Sequence, residues 1–127
     1  MYEVGYSSSF RALHVMPGMP GPEGELHEHD YRLEVVVERE TLDERGMVCD
    51  LDVLQEGVER IVGRVRGARL DEVEGLGPPE GVTVETFARW SCDSLRNALG
   101  SGAGDAISVR MWESPSAFGG YRASSSA

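Results

Sequence analysis

Residues 29–39 carry the pattern that most limits what this chain can become. Tyr31, Leu33, Val35 and Val37 share one parity, while Arg32, Glu34 and Glu38 share the other. A period of two sends successive side chains to opposite faces of a strand. One face of this segment must be covered by another layer, and the other must meet water or charge. The rest of the chain has to supply both a pairing strand and a cover.

A second alternating stretch runs over residues 2–15. Tyr2, Val4, Tyr6, Phe10, Ala12 and His14 fall on one parity, although the serine run at 7–9 weakens the pattern. Between the two strands lies a Pro/Gly-rich loop, residues 16–26. The polar stretch 41–46 reads as a turn, and a short apolar piece at 47–49 leads to Asp50 or Asp52, either of which suits a helix N-cap. Leu54, Val58, Ile61, Val62 and Val65 then follow at helical spacing, with Gly67 at the C-terminal end. After a Gly/Pro loop over 71–82, Thr83 suits the N-cap of a second helix. Phe87, Ala88, Cys92, Leu95 and Leu99 form its apolar stripe, and residues 100–104 end it. Ile107, Val109 and Met111 alternate as a third strand. Residues 117–123 read as a short fourth strand, and residues 124–127 as a frayed end.

The expected class is α+β, with a four-stranded antiparallel sheet and two helices inserted between strands 2 and 3. A length of 127 residues, without repeats or a composition break, suits one domain spanning 1–127. Helices on one face of such a sheet leave two sheet edges open, and pairing with another copy is a common way to cover them.

Charge excludes one class of partner. The formal net charge is -10, and every basic residue is an arginine. A nucleic-acid partner is not expected, because phosphate binding needs a basic patch. No apolar stretch approaches the roughly 20 residues that cross a bilayer, and residues 1–15 lack the basic start and apolar run of a secretory signal. A cytoplasmic protein without a membrane partner is the expectation. The two cysteines, Cys49 and Cys92, are then expected to be reduced and buried.

The chain has three histidines, and they read best together. His27 and His29 are two apart in a strand-forming segment, so their side chains share a face about 7 Å apart at Cα. His14 closes the first strand with the parity of its inward residues. Antiparallel pairing across the 16–26 loop would bring it beside the other two. Three histidines with an open fourth position form a catalytic zinc arrangement, in which the ion polarises an oxygen or lowers a hydroxyl pKa. Taken alone, His-x-His reads equally as a solvated surface tract. Glu23, Glu25, Glu28 and Asp30 nearby suit a base, an outer partner of the ligands, or plain loop charges.

The segments together resemble the 6-pyruvoyl-tetrahydropterin synthase and 6-carboxy-tetrahydropterin synthase family, of the tunnelling fold. Phe10-Arg-Ala-Leu-His14 is similar to its Phe-x-Ala-x-His, and His27-Glu-His-Asp-Tyr31 to its His-Gly-His-Asn-Tyr. Gly46-Met-Val-Cys-Asp-Leu-Asp-Val-Leu54 is similar to its Gly-Met-Val-x-Asp-Phe-x-x-Leu. Thr83-Val-Glu-Thr-Phe-Ala88 resembles its Pro-Thr-x-Glu-Asn-Leu-Ala without the Pro, and Glu113-Ser-Pro115 its Glu-Ser-Pro. The resemblance implies zinc held by His14, His27 and His29. It implies a pterin pocket at a subunit interface, with Glu113 accepting paired N–H bonds from the pterin edge and with Thr83 and Glu85 nearby. It also implies a toroidal homohexamer of two trimers. Local chemistry offers plainer readings, with Glu113 a strand-end carboxylate and Thr83 and Glu85 a well-formed helix start.

Three departures stand out. The family's catalytic Cys, four residues before His-x-His, is here Glu23. One branch with Glu there is associated with cleaving the dihydroneopterin side chain to a 6-hydroxymethyl pterin. Glu23 is therefore the candidate general base, or else a loop glutamate. The family's Asp-His after the first helix is replaced within Arg66-Gly-Ala-Arg-Leu-Asp71, so the usual proton relay cannot be assembled. Glu28 and Asp30 stand where the family has Gly and Asn. On a strand both point away from the ligand face, and both would repel a triphosphate.

The expected function is a zinc-dependent lyase acting on the side chain of a 7,8-dihydropterin, dihydroneopterin triphosphate or similar, breaking a carbon–oxygen or carbon–carbon bond. The competing expectation is a family member that binds zinc and a pterin-like ligand without turnover.

Overall fold

The computed structural model describes residues 1–77 and 81–124. Strands β1 (Tyr2–His14) and β2 (His27–Arg39) are followed by helices α1 (Leu51–Val65) and α2 (Val84–Leu99). Strands β3 (Ala106–Trp112) and β4 (Phe118–Ser124) complete the fold. The strands form one antiparallel sheet in the order β1-β2-β3-β4, so the helices lie between strands 2 and 3 as expected. Both helices pack against the sheet.

Parity decides the two faces. Tyr31, Leu33, Val35 and Val37 of β2 are fully buried beneath the helices, beside Ile107, Val109 and Met111 of β3. Burying such side chains contributes about 1.5–3 kcal/mol each before entropy is counted. The α1 stripe Leu54, Val58, Ile61, Val62 and Val65 is buried as its spacing predicts. In α2, Phe87, Ala88, Cys92 and Leu95 are buried and Leu99 is half-buried. The serine run does not interrupt β1. Where its inward face lacks apolar groups, the Tyr6 hydroxyl donates to Glu59 of α1 at 2.7 Å, so the strand is fastened to the helix by a polar link.

The helix starts are capped locally. Asp50, not Asp52, caps α1, its side chain accepting from Asp52 N at 2.9 Å. Thr83 caps α2. Its hydroxyl accepts from Thr86 N, and the Thr86 hydroxyl accepts from Thr83 N. The reciprocal partner is Thr86, so Glu85 takes no part in the cap and is exposed.

Two expectations change in detail. Both cysteines are free thiols, but Cys49 is half-buried because it lies in the open turn before α1. Of the expected frayed end, Ser124 closes β4, while residues 125–127 lie outside the described residues. The 71–82 loop is described except at 78–80, and a 3-10 turn at Leu70–Glu72 overlaps its start. Among the described residues, no helix is long and apolar enough to cross a membrane.

Candidate metal centre

The last rungs of the β1–β2 ladder bring the histidines together. His14 pairs at Cα with His27, and Ala12 with His29. Ring centroids lie 5.3 Å apart for His14 and His27, 5.6 Å for His14 and His29, and 4.6 Å for His27 and His29. One ligand nitrogen from each ring falls within 4.8 Å of the others.

The outer hydrogen bonds assign the free nitrogens. His27 Nδ1 stands 2.7 Å from the Glu25 carbonyl, which can only accept, so Nδ1 carries the proton and Nε2 keeps its lone pair. That Nε2 is 2.9 Å from His29 Nε2, a distance a shared proton can hold. Two nitrogens on one tetrahedral zinc stand about 3.3 Å apart, so a small opening of this pair would fit an ion. His14 Nε2 donates to the Val82 carbonyl at 2.6 Å. Its Nδ1 is buried and has no partner among the described residues. A buried bare nitrogen is costly unless something occupies it, and a divalent cation is the occupant that the neighbouring imidazoles also suit. Burial, then His27, lowers the His29 pKa, and His14 adds to this against the opposing pull of Glu113 and Glu23. Neutral imidazole is the ligating form. The donor set therefore fits zinc.

A cavity of about 180 Å³ opens beside this centre and brings His14, Glu23, Thr83, Glu85 and Glu113 into one lining. Each arrives from a different part of the chain. Glu23 lies on a 3-10 turn, Gly21–Gly24, which is tied back to the end of β1 by Met16 N donating to the Glu23 carbonyl at 2.8 Å. Thr83 and Glu85 come from the start of α2. That start sits directly on β4 at Gly119, where a Cβ would stand 2.6 Å from Val84 Cγ2 and 2.9 Å from Glu85 N. Glu113 follows β3 in a turn held by Glu113 N donating to the Ala117 carbonyl and by Ser114 Oγ accepting from Ser116 N and Ala117 N.

A broader cavity of about 810 Å³ shares Tyr31 and Glu113 with the first and also reaches His29, Arg11, Glu28 and Asp30. It follows β2 where β3 has ended, since the β2–β3 pairing stops at Arg32 and Trp112. Arg11 Nε donates to Asp30 at 2.8 Å, and its guanidinium lies 3.6 Å from Glu28. Arg11, Glu28 and Asp30 thus pair on the helix-free face, away from the imidazoles.

Two contributors escape a reading of motifs. Tyr31 reads from its parity as core, yet it lines both cavities, and burial and then Glu113 raise its pKa. The Val82 carbonyl orients His14, but a backbone oxygen leaves no trace in residue type. The stretch Arg66 to Asp71, which lacks Asp-His, lies along β1. Gly67 N donates to the Arg11 carbonyl at 2.7 Å, and Leu13 N donates to the Ala68 carbonyl at 2.8 Å. Arg69 turns instead to Asp71, 2.9 Å away, and holds its carboxyl below the usual carboxylate range.

The family described as 6-pyruvoyl tetrahydropterin synthase matches residues 3–124. Among solved structures, the Caenorhabditis elegans 6-pyruvoyl tetrahydropterin synthase is similar over 97% of this chain and 96% of its own, at 20% identity and a TM-score of 0.80. The Plasmodium falciparum synthase is similar over 97% and 98% respectively, at 17% identity and a TM-score of 0.76. A Plasmodium vivax synthase with a catalytic glutamate replaced by alanine has the same coverage and TM-score at 16% identity. At these identities the structural likeness is one of fold. No curated protein matches the sequence.

Proposed function

The chain belongs to the 6-pyruvoyl tetrahydropterin synthase family, and from that premise we propose that it is a zinc-dependent lyase acting on the side chain of a 7,8-dihydropterin. The observation that carries this reading is the convergence of three imidazoles beside a cavity lined by Glu23, Glu113, Thr83 and Glu85. His14, His27 and His29 hold the ion, which when bound supplies Lewis acidity toward a side-chain hydroxyl or carbonyl oxygen.

Glu113 accepts paired N–H bonds from the flat amidine edge of the pterin. Its turn is braced by Ser114, which fixes the backbone from which the carboxylate projects. Thr83 and Glu85 border the same pocket, and Glu85 is available there because Thr86 completes the helix cap. Tyr31 and Phe87 offer the ring an apolar wall. Glu23 moves the proton that bond cleavage releases. The Plasmodium vivax relative, whose catalytic glutamate has been replaced for study, is a precedent for a carboxylate in catalysis within this fold.

The working form is a homo-oligomer, a hexamer of two trimers. Two features support association. The outer side of β4 carries no pairing strand among the described residues, and exposed Tyr2, Leu42 and Leu51 line an apolar hollow of about 340 Å³ at the other end of β1.

The test is incubation of the zinc-loaded chain with 7,8-dihydroneopterin and with its triphosphate, followed by chromatography. A new 6-substituted pterin supports the reading. Zinc bound with no product sinks the enzyme claim. Pterin binding without product would instead describe a repurposed family member.

A further inference from the structure

We propose that Gly24 is a positioning residue, one that sets the Glu23 carboxylate and the His27 imidazole together through the loop joining β1 to β2. This rests on the zinc and Glu23 reading above and deepens it. The loop starts immediately after His14 and ends immediately before His27, so a candidate ligand stands at each end of it. Within it, Glu23 lines the smaller cavity, and the Glu25 carbonyl takes the Nδ1 proton of His27 at 2.7 Å. Gly24 is the residue between them.

Position 24 has no room for a side chain. A Cβ there would overlap the Met19 carbonyl oxygen, and would stand 3.1 Å from the Met19 carbonyl carbon and 3.7 Å from its nitrogen. All three atoms are backbone, so no change of rotamer can clear them. The loop is closed around this approach from both sides. Met16 N donates to the Glu23 carbonyl at 2.8 Å, while the Met16 carbonyl accepts from Met19 N at 3.2 Å. Glu25 N donates to the Pro22 carbonyl at 3.1 Å and ends the 3-10 turn. A methyl at position 24 therefore has to part Met19 from residues 23–25. That strains the bonds at Met16 and turns Glu23 and Glu25 away from their targets together.

The two targets respond differently. Without the Glu25 carbonyl, His27 Nδ1 loses the acceptor that keeps Nε2 bare for an ion. Outer partners of this kind carry about a 10–100-fold effect on metal affinity. A base displaced by about 1 Å loses about a hundredfold in rate. Gly18 supplies a control in the same loop. Its φ of 82° makes alanine strained there, but its Cβ would meet nothing within 4 Å.

The experiment compares the wild-type chain with Gly24→Ala and Gly18→Ala, with melting temperatures reading the fold. Zinc affinity is read by competition with a chromophoric chelator, and the His27 tautomer by nitrogen-15 NMR of the metal-free chain. Turnover is read with 7,8-dihydroneopterin at saturating zinc. Gly24→Ala is expected to weaken zinc binding by about tenfold or more, to mix the His27 tautomers, and to lower kcat by about 10–100-fold. Pterin affinity should persist, because Glu113 stands outside the loop. Gly18→Ala is expected to match the wild type in all three readings. Wild-type zinc affinity and tautomer in Gly24→Ala would overturn the proposal, as would equal effects from Gly18→Ala or loss of the fold in Gly24→Ala. Absence of zinc binding or of turnover in the wild type would sink the function reading, while the nitrogen spectra would still decide the place of Gly24.

Discussion

His14 and His27 are Cα partners on the last rung of the β1–β2 ladder, with their rings edge to face at 5.3 Å between centroids. The rung places two ligands on opposite strands, and His29 adds a third two residues along. Backbone pairing therefore holds the donor set before any ion arrives, which is what a preorganised site requires.

Zinc should stabilise the fold measurably. Free zinc at about a hundred times its dissociation constant adds about 2.7 kcal/mol, or roughly 10 °C in melting temperature for a chain of this size. Scanning calorimetry with zinc and with a chelator reads the shift. His14→Ala and His27→Ala should each abolish it and weaken zinc binding by more than about a hundredfold. An unchanged melting temperature with zinc would mean that the histidines do not form a site.

Glu23 and Glu113 should separate in kinetics. Glu23→Gln is expected to lower kcat by about 10²–10⁴-fold while zinc content and pterin affinity persist. Glu113→Gln removes charge-assisted bonds of about 1.5–3 kcal/mol and should weaken pterin binding by roughly 10–100-fold. Steady-state kinetics with a separate pterin titration distinguishes the two. Wild-type kcat in Glu23→Gln would remove it as the base.

Gly119 tests how the α2 start reaches the pocket. In Gly119→Ala the added methyl collides with Val84 and Glu85 N, at an expected cost of about 1–3 kcal/mol. Pterin affinity should fall as Thr83 and Glu85 shift. Leu54→Ala, a cavity in the core away from the pocket, should cost about 2–5 kcal/mol with pterin affinity retained in the folded fraction. Urea unfolding paired with titration separates local displacement from general destabilisation.

The link between Tyr6 and Glu59 should appear in the acid limb of stability. The Tyr6 hydroxyl, with help from Ser8, holds the Glu59 carboxyl below its usual range. Its native pKa is thus lower than its unfolded pKa. The associated stability is present above the unfolded value and is lost as pH falls through the native one. Tyr6→Phe should therefore lose less stability than the wild type between about pH 5 and pH 3. Urea midpoints across that range give the comparison, and parallel acid limbs would refute the link.

Much of this protein is legible in residue order because periodicity is a local property. The alternation of Tyr31, Leu33, Val35 and Val37 specifies a strand with one buried face, and the same parity puts His27 and His29 side by side. The α1 and α2 stripes similarly specify which helix faces are buried. Ordered motifs carried the family assignment, and the capping chemistry of Thr83 is written in the four residues that make it.

Tertiary structure decided what depends on surfaces meeting at a distance. That Val82 turns its carbonyl to His14, leaving Nδ1 bare, follows from how the chain enters α2 and from no pattern in residue type. Tyr31 reads as core from its parity but becomes a pocket wall because β3 ends at Trp112 and leaves that part of β2 open. Gly119 reads as one glycine among sixteen until α2 is laid across it. Glu28 and Asp30 read as charges near the site, and only the packed strands commit Arg11 to them. Sequence determined the strands, the helices and the ligands on their faces, because local geometry follows from local composition. The pocket's shape and its sign of charge came from long-range packing, where backbone carbonyls, strand ends and close approaches act without any sequence signature of their own.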